Sequence, residues 1–292
     1  MKRILLFATF VALATSAMAE CVDSVKFVTA HREAVAMPKG AEGYTILRLN
    51  IFGSMQTISV MRYSPKRFKT AVVLPDNLSP LSVTAKSAQA AFGVNAGYWD
   101  VSNAQPSTFL VIEGRHIAQT AEFEKERVDG LVCIGKRKVV IDGCKADAEA
   151  EYKDKYSTIL ASGPMLIDEG RSVDHESYMR GMKQAAHGKD IGAYYTYMRR
   201  HPRTAMGTDK RGDVYLVVVD GRAKDNAEGV TIVELTKICE WLGLRDAINL
   251  DGGSSSTMWS AMEGVVSYPC RNRKFDHEGE RRVSSCVLVS PK

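Results

Sequence analysis

The segment "VYLVVVDGR", residues 214–222, and the segment "TIVELTKICEWLGLRDAINLD", residues 231–251, decide the fold of this 292-residue chain. Residues 214–219 form a nearly continuous apolar run, which is typical of a strand buried on both faces. Residues 246–251 form a second run of this kind. We therefore expect a strand, a helix and a strand that are joined as a crossover within one sheet.

The segment between the two strands carries clear helix signals. Thr231 and Glu234 have the spacing of a capping box. The apolar residues that follow recur at helical spacing and predict one buried face, formed by Ile232, Leu235, Ile238, Cys239 and Leu242. Ligand sites in open α/β sheets favour the carboxyl ends of strands. Asp220 and Asp251, which end the two strands, are therefore candidate functional residues.

The N-terminal half of the chain is rich in hairpin patterns. β-forming residues in 44–52 and 55–63 flank Gly53-Ser54 and predict a hairpin. Two further hairpins are expected to turn at Glu113-Gly114 and at Gly135-Lys136. Strands are expected at 70–76 and, followed by a turn, at 157–168, and "SAQAAFG" (87–93) predicts a short helix ending near Gly93. The whole pattern predicts an α+β fold: a mixed, largely antiparallel sheet with packed helices and one C-terminal β-α-β crossover.

The first 19 residues have the composition of a secretory signal peptide. Lys2 and Arg3 precede an apolar run over 4–14, and Ala17-Met18-Ala19 forms an A-x-A cleavage site. We expect cleavage after Ala19 and export to the periplasm or the medium, with a lipid anchor on Cys21 as the rival reading. Residues 20–292 are then expected to form a single domain.

Composition narrows the class of protein. Apolar residues make up 45% and charged residues 25% of the chain, which favours a packed globular core over disorder. The net charge of +5 becomes 5 − 2 = +3 without Lys2 and Arg3, which suits an anionic substrate and does not indicate nucleic acid. The six cysteines of an exported chain predict disulfides, whose pairing the sequence leaves open, while Cys239 reads as a buried free thiol.

Four segments each place small residues and a polar group at the end of a predicted strand. They are "NAGYWD" (95–100), "SGPMLID" (162–168), "HPRTAMG" (201–207) and "NLDGGSSSTM" (249–258). Glycine lets a ligand approach the backbone closely, and an arginine can grip a phosphate in two places. Residues 169–202 between them are polar and weakly periodic, which favours a functional loop or lid.

These segments, in this order, resemble the phosphodiester glycosidase family from about residue 58 to the C-terminus, in the manner of an exported bacterial member. The segment around Asp251 is the most specific of them. Ser254 stands where the family usually has a third glycine, and Ala96 where it tends to have a glycine. The resemblance implies hydrolysis of a sugar-1-phosphodiester, typically an α-linked N-acetylglucosamine, at the bond between the sugar carbon and the phosphate oxygen.

The same resemblance suggests roles for particular residues. Asp251 is the first choice for the reacting carboxylate and Asp220 the second, and Arg203 would clamp the departing phosphate. Asn95 and Asn249 would hold sugar hydroxyls or the acetamido group. The other expected substrate-binding residues are Gly97, Ser162, Gly163, Thr204, Gly252, Gly253 and Ser254. Tyr98 and Trp99 read equally well as a wall for the sugar or as core, and His201 is expected not to act directly.

Other classes of function remain as alternatives. A non-catalytic module for anionic cell-surface glycans, or a phosphodiesterase that cuts the P–O bond, would use the same residues. "GGSSST" lacks the closing glycine of a serine-hydrolase elbow, and the histidines show no zinc spacing. No cofactor and no metal are predicted, although a divalent cation held by Asp251 or Asp220 stays as an alternative. The sequence leaves the oligomeric state open.

Overall fold

The computed structural model describes residues 21–175, 177 and 196–292. The predicted signal peptide and the central part of the predicted lid lie outside the described residues. Helical residues 21–29 open the described chain, and helices follow at Leu81–Ser87 and Ile232–Trp241, the latter called the crossover helix below. Short 3-10 turns lie at Glu122–Glu124, Glu149–Tyr152 and Gly253–Ser255.

The strands are numbered in chain order: β1 Glu33–Ala34, β2 Ala41–Ile51, β3 Ser54–Tyr63, β4 Phe68–Val73, β5 Phe92–Asn95, β6 Trp99–Asp100, β7 Gln105–Pro106, β8 Leu110–Ile112, β9 Arg115–Ala118, β10 Gly130–Ile134, β11 Val139–Gly143, β12 Thr158–Ser162, β13 Met165–Asp168, β14 Arg171–Ser172, β15 Arg203–Asp209, β16 Val214–Val219, β17 Leu244–Asn249, β18 Met258–Ser260, β19 Gly264–Val265 and β20 Cys286–Pro291.

These strands form one large and two smaller sheets, together with the β6–β7 pair. The large sheet has the order β1-β2-β3-β16-β15-β17-β13-β14, and the five-stranded sheets have the orders β11-β10-β12-β8-β9 and β19-β18-β5-β20-β4. The named strands pair antiparallel throughout the described chain. The predicted α+β fold with a largely antiparallel sheet is confirmed.

The predicted crossover is also present, and it spans one strand. β16 and β17 both pair antiparallel with β15, so they run in the same direction on either side of it. Thr231 caps the crossover helix: its Oγ1 accepts from Glu234 N, and Thr231 N donates to the Glu234 carboxylate. The predicted capping box and the buried face of this helix are confirmed.

Both faces of the large sheet are covered, which explains the continuous apolar run in β16. Val217 and Val219 pack in one core with the crossover helix. Leu216 and Val218 point to the other face and pack in a core shared with both five-stranded sheets. A strand between two cores needs apolar side chains in both directions.

The three predicted hairpins are confirmed, as β2–β3, β8–β9 and β10–β11. The predicted helix at 87–93 is wrong. The helix ends at Ser87, and Gly93 lies inside β5. Gln89 takes a positive φ of 51° between them, and a side chain at Gly93 would collide with the carbonyl of Val287 on the paired strand. The alanine-rich segment therefore leads into a strand that requires glycine for close backbone approach.

The six cysteines are all free in this structure, so it contains no disulfide of the kind that the sequence predicted. Cys239 is fully buried on the crossover helix, as expected, and burial raises the pKa of its thiol to about 12. Cys21 is exposed and Cys270 is partly exposed, and the other cysteines are buried.

Candidate active site

One edge of the large sheet gathers the ends of three strands. Arg203, the first residue of β15, pairs with Val219, the last residue of β16. Ala205 pairs with Asn249, the last residue of β17. The segments that follow β16 and β17 and the start of β15 therefore meet at this edge, as the crossover requires.

A cleft of about 200 Å³ opens at this edge. It brings together residues that are up to 155 positions apart in the chain, from Tyr98 to Gly253. Its lining residues are Tyr98, Arg127, Thr196, Tyr197, His201, Arg203, Arg222, Asn249, Asp251, Gly252 and Gly253. Among them, Asp251 is the carboxylate, and three are arginines.

Asp251 is the acid of the cleft. Burial raises the pKa of Asp251 to about 6, against the lowering effect of a hydrogen bond from Ser255 and of the positive charges of Arg281 and Arg127. Its backbone is held from the neighbouring sheet, because Asp251 N donates to Ala96 O at 3.0 Å. A carboxyl group that ionises near neutral pH in a cleft is suited to act as a base or a nucleophile.

Arg203 lines the cleft, but much of its guanidinium is already used by the protein. Its side chain is buried, with Nε donating to Val230 O at 3.0 Å and Nη2 donating to Thr196 O and Arg199 O at 2.6 and 3.0 Å. Burial lowers the pKa of Arg203 to about 10, so that it stays charged at neutral pH. Arg203 thus both holds the segment around residue 199 and brings a positive charge to the cleft.

His201 and Arg222 form a second basic corner. Arg222 Nη2 lies 3.5 Å from His201 Nδ1. Burial, together with the charges of Arg203, Arg222 and Arg199, lowers the pKa of His201 to about 4. His201 is therefore neutral at physiological pH, and its Nδ1 can accept a hydrogen bond from Arg222. Arg222 has a positive φ of 64°, a strained conformation of a kind that clusters at functional sites.

Tyr98 and Arg127 form another part of the cleft lining. The Arg127 guanidinium lies over the Tyr98 ring, 4.9 Å from its centroid. Tyr98 OH donates to Gly163 O at 2.6 Å and accepts from Asn249 Nδ2 at 2.9 Å. The hydroxyl bonds therefore fix the Tyr98 ring in place, and the Arg127 guanidinium covers one face of that ring.

Asn249 reaches the cleft, whereas Asn95 lies beneath it. Asn249 Nδ2 also donates to Gly163 O and Leu250 O, and its buried Oδ1 has no partner among the described residues. Asn95 Nδ2 donates to Asp251 O at 2.6 Å, while its Oδ1 accepts from Thr204 Oγ1 and Thr257 N. The Asn95 amide thus supports the backbone of Asp251 from below the cleft and connects it to Thr204 and Thr257.

Several other predicted binding residues also lie below the cleft surface. Thr204 and Ser162 are fully buried, and Ser162 Oγ donates to Asn249 O at 2.7 Å. Gly97 is packed against Leu160 and its N–H donates to Ser285 Oγ. Gly163 contributes the carbonyl that receives Tyr98 and Asn249. These four residues build the floor of the site.

The two glycines after Asp251 line the cleft, but their N–H groups are bonded within the protein. Gly252 N–H bonds to the Asp251 carboxylate, and Gly253 N donates to Pro202 O at 2.8 Å. Gly253 has a φ of 63°, which favours glycine. Ser254 follows in the 3-10 turn and is partly exposed.

Asp220 directly follows β16, in line with the sequence prediction, but it is not among the residues that line the cleft. It is 1% exposed, and its Oδ1 accepts from Tyr268 N at 2.9 Å while Oδ2 has no partner among the described residues. Burial raises the pKa of Asp220 to about 8. The structure therefore separates the two candidate carboxylates, with Asp251 facing the cleft and Asp220 beneath the loop that follows β19.

Sequence reasoning did not select Arg127, Tyr197 or Arg222 for the site. Arg222 stands directly after Asp220-Gly221 in a strand-to-turn motif, which was a usable signal. Tyr197 lies within residues 169–202, which the sequence analysis predicted as a functional loop without selecting any residue in it other than His201, whereas Arg127 lies in a segment without any motif. Arg281 is not among the residues that line the cleft. Its guanidinium lies 4.6 Å from the centroid of the Trp99 ring, and its positive charge lowers the pKa of Asp251.

Among the described residues, no group of three or more histidine, cysteine or acidic side chains could hold a metal ion. No helix in the described chain has both the length and the apolar character that are needed to cross a membrane.

Comparison with known proteins identifies the family. The profile of the phosphodiester glycosidase family matches residues 88–290. N-acetylglucosamine-1-phosphodiester alpha-N-acetylglucosaminidase of Bos taurus is 25% identical over 217 residues, and that of Homo sapiens is 22% identical over 212 residues. The matches cover 70% of this chain but only 38% and 39% of those proteins.

Solved structures share the fold. The catalytic domain of the zebrafish enzyme of the same name, auto-inhibited by its pro-peptide, superimposes with a TM-score of 0.67 at 19% identity, covering 90% of this chain and 89% of that one. A hypothetical protein from Synechocystis gives 0.65 at 14% identity, covering 90% and 64%. With the family profile matching well over half of its length, the chain belongs to the phosphodiester glycosidase family.

Proposed function

We propose that this protein hydrolyses a sugar-1-phosphodiester, of the N-acetylglucosamine α-phosphodiester type, and releases the sugar and a phosphomonoester. The observation that carries the proposal is the charge pattern of the cleft. Asp251, the carboxylate among its described lining residues, shares the cleft with Arg127, Arg203 and Arg222. This combination suits a substrate that has one electrophilic carbon beside an anionic group. The family membership of the chain supports the same reaction class.

The reaction breaks the bond between the sugar C1 and the phosphate oxygen. Asp251, as a carboxylate, either takes a proton from the attacking water or attacks C1 itself to form a glycosyl ester that water then cleaves. In both routes the oxygen of water ends on C1, and the phosphate leaves with the bonding electrons. The leaving phosphate is a weak base, so charge stabilisation matters more than its protonation.

The arginines supply this stabilisation. Arg222 lies 3.5 Å from the neutral His201, and the charge of Arg203 also acts on that ring, so that two positive charges are close to one corner of the cleft. A departing phosphate in that corner would meet fixed guanidinium groups in place of water, and such preorganised charges favour a transition state in which negative charge develops. Asn249 and Tyr98, which are hydrogen-bonded to each other and also line the cleft, would contact the sugar.

The test is turnover of an N-acetylglucosamine α-phosphodiester in heavy-oxygen water. We expect release of the sugar and an unlabelled phosphomonoester. Label in the phosphate product would mean cleavage of the P–O bond, and binding without turnover would mean a non-catalytic module. Asp251→Asn should abolish turnover, while Asp154→Asn, at an exposed turn, should behave like the wild type.

We also propose that the protein acts outside the cytoplasm after loss of residues 1–19. The basic start, the apolar run and the A-x-A site support this proposal. Expression of the full-length chain in a bacterium, followed by intact mass analysis of the periplasmic fraction, tests it. A protein that begins at Glu20 is expected there. Full-length protein retained in the cytoplasm would contradict the proposal.

A further inference from the structure

We infer that Glu124 is a positioning residue, which acts on the cleft by orienting Arg127; this inference rests on the function proposed above. Glu124 ends the 3-10 turn Glu122–Glu124 and its side chain is 3% exposed. Its Oε1 accepts from Ser107 Oγ at 2.9 Å. Its Oε2 lies 2.6 Å from Arg127 Nε as an ion pair, although neither of these two atoms has a hydrogen-bond partner among the described residues. Ser107 therefore anchors the carboxylate, which places its negative charge beside the arginine.

Arg127 carries this orientation into the cleft. Its guanidinium lies between the buried Glu124 and the face of Tyr98, and its charge lowers the pKa of Asp251. Its backbone is also fixed, since Arg127 N donates to Glu124 O at 2.9 Å and Tyr197 OH donates to Arg127 O at 3.2 Å. The side chain is 30% exposed, so without Glu124 its long stem could swing away from Tyr98 into solvent.

Stability alone is a weak reason for this arrangement. Burial raises the pKa of Glu124, and only Arg127 and Ser107 act to restore its charge. A buried ion pair commonly gains little net stability over apolar residues of the same size, because desolvation offsets the attraction. The consequence of the Glu124–Arg127 pair is geometric, because the pair keeps the Arg127 guanidinium at a defined position in the cleft that contains Asp251. Groups that orient an active-site residue affect the rate through position.

The same turn provides a matched control. Glu122 is 88% exposed in its side chain and pairs with Lys125 at 3.0 Å, on the outside of the protein. Glu122→Gln and Glu124→Gln therefore remove one charge each from one short turn. Only the second change removes a partner of a residue that lines the cleft.

The test is a double-mutant cycle of Glu124→Gln and Arg127→Gln, with kcat and KM measured for an N-acetylglucosamine α-phosphodiester. We expect Glu124→Gln to lower kcat/KM about tenfold in the wild type, because a misplaced group loses transition-state contact. In the Arg127→Gln variant, Glu124→Gln should lower kcat/KM by less than about twofold, because Glu124 then has no arginine to orient. Glu122→Gln should leave kcat/KM unchanged.

A role in folding alone gives a different result. Glu124→Gln would then lower Tm and reduce kcat/KM by the same factor on both backgrounds, and that outcome overturns the inference. Ser107→Ala is a second test variant, because it keeps the Glu124 carboxylate and removes only the hydrogen bond that Ser107 Oγ donates to it. We expect it to lower kcat/KM by about threefold, and only when Arg127 is present.

Binding measurements distinguish a failure of this inference from a failure of the proposed function. The Kd of N-acetylglucosamine 1-phosphate, measured by calorimetry across the same four proteins, should follow the same non-additive pattern. If the wild type cleaves no sugar phosphodiester, the proposed function fails, and the pattern in Kd still decides the role of Glu124. Additive losses in Kd would contradict that role.

Discussion

Asn95 holds the main chain of Asp251: its Nδ2 donates to Asp251 O at 2.6 Å, from β5 in a different sheet. The Asn95 Oδ1 accepts from Thr204 Oγ1 at 2.8 Å, on β15 of the large sheet, and from Thr257 N at 3.1 Å. One buried amide thus connects the two sheets beneath the acid of the cleft. The position of Asp251 depends on this connection.

We predict that Asn95→Ala destabilises the protein by roughly 3 kcal/mol, because it leaves several buried polar groups without a partner. The loss of activity should accompany the loss of stability, since Asp251 loses its support. Urea unfolding measures the first effect and turnover the second. Asn77→Ala, in an exposed loop, is the control and should change neither. An unchanged unfolding free energy for Asn95→Ala would contradict the structural role.

The activity should depend on a group with a pKa of about 6. Burial raises the pKa of the Asp251 carboxyl to this value, and the reaction requires its ionised form. We therefore expect kcat/KM to be constant above about pH 7 and to fall about tenfold per pH unit below pH 6. The pH profile of kcat/KM measures this limb. A profile that stays flat from pH 7 to pH 4 would rule out Asp251 as the ionising group.

Asp220 should make the folded protein less stable as the pH rises. Its pKa is raised by burial to about 8, so the folded state keeps a proton that the unfolded chain has already lost above about pH 4. Stability should therefore fall by up to ~1.4 kcal/mol per pH unit from this one group between about pH 4 and pH 8.

Asp220→Asn is the matched variant for this prediction, because the amide oxygen can still accept from Tyr268 N. We expect the variant to be more stable than the wild type at pH 8 and the difference to shrink toward pH 4. Unfolding free energies at both pH values test this. A difference that is the same at pH 4 and pH 8 would show that the carboxyl does not titrate in this way.

Substitution of Arg203 should lower both stability and activity, whereas substitution of Arg222 should lower mainly activity. Arg203 donates to three backbone carbonyls, so Arg203→Lys should cost about 2 kcal/mol of stability as well as activity. Arg222 bonds only weakly to His201 and Cys270, so Arg222→Gln should keep Tm within a few degrees and lower kcat/KM by roughly 10²-fold. Thermal melts and kinetics on both variants test the contrast. Equal losses of stability would contradict it.

The elements of the fold could be predicted from short stretches of sequence. The turn at Gly53, the capping box at Thr231 and the apolar run of β16 each depend on residues that are close together in the chain. The end of β17 placed Asp251 correctly at an edge of the sheet for the same reason. Even so, the helix expected at 87–93 failed, because the need for glycine at position 93 comes from Val287 on a distant strand.

Local sequence thus determined which segments form strands, where the crossover lies and that an acid stands at the end of its second strand. Only the tertiary structure decided that Asn249 lines the cleft while Asn95 lies beneath it, although both follow similar strand patterns. It also brought Arg127 and Arg222 to Asp251. The physical reason is that backbone conformation depends on near neighbours in the chain, whereas the surroundings of a side chain depend on packing between segments that meet only after folding.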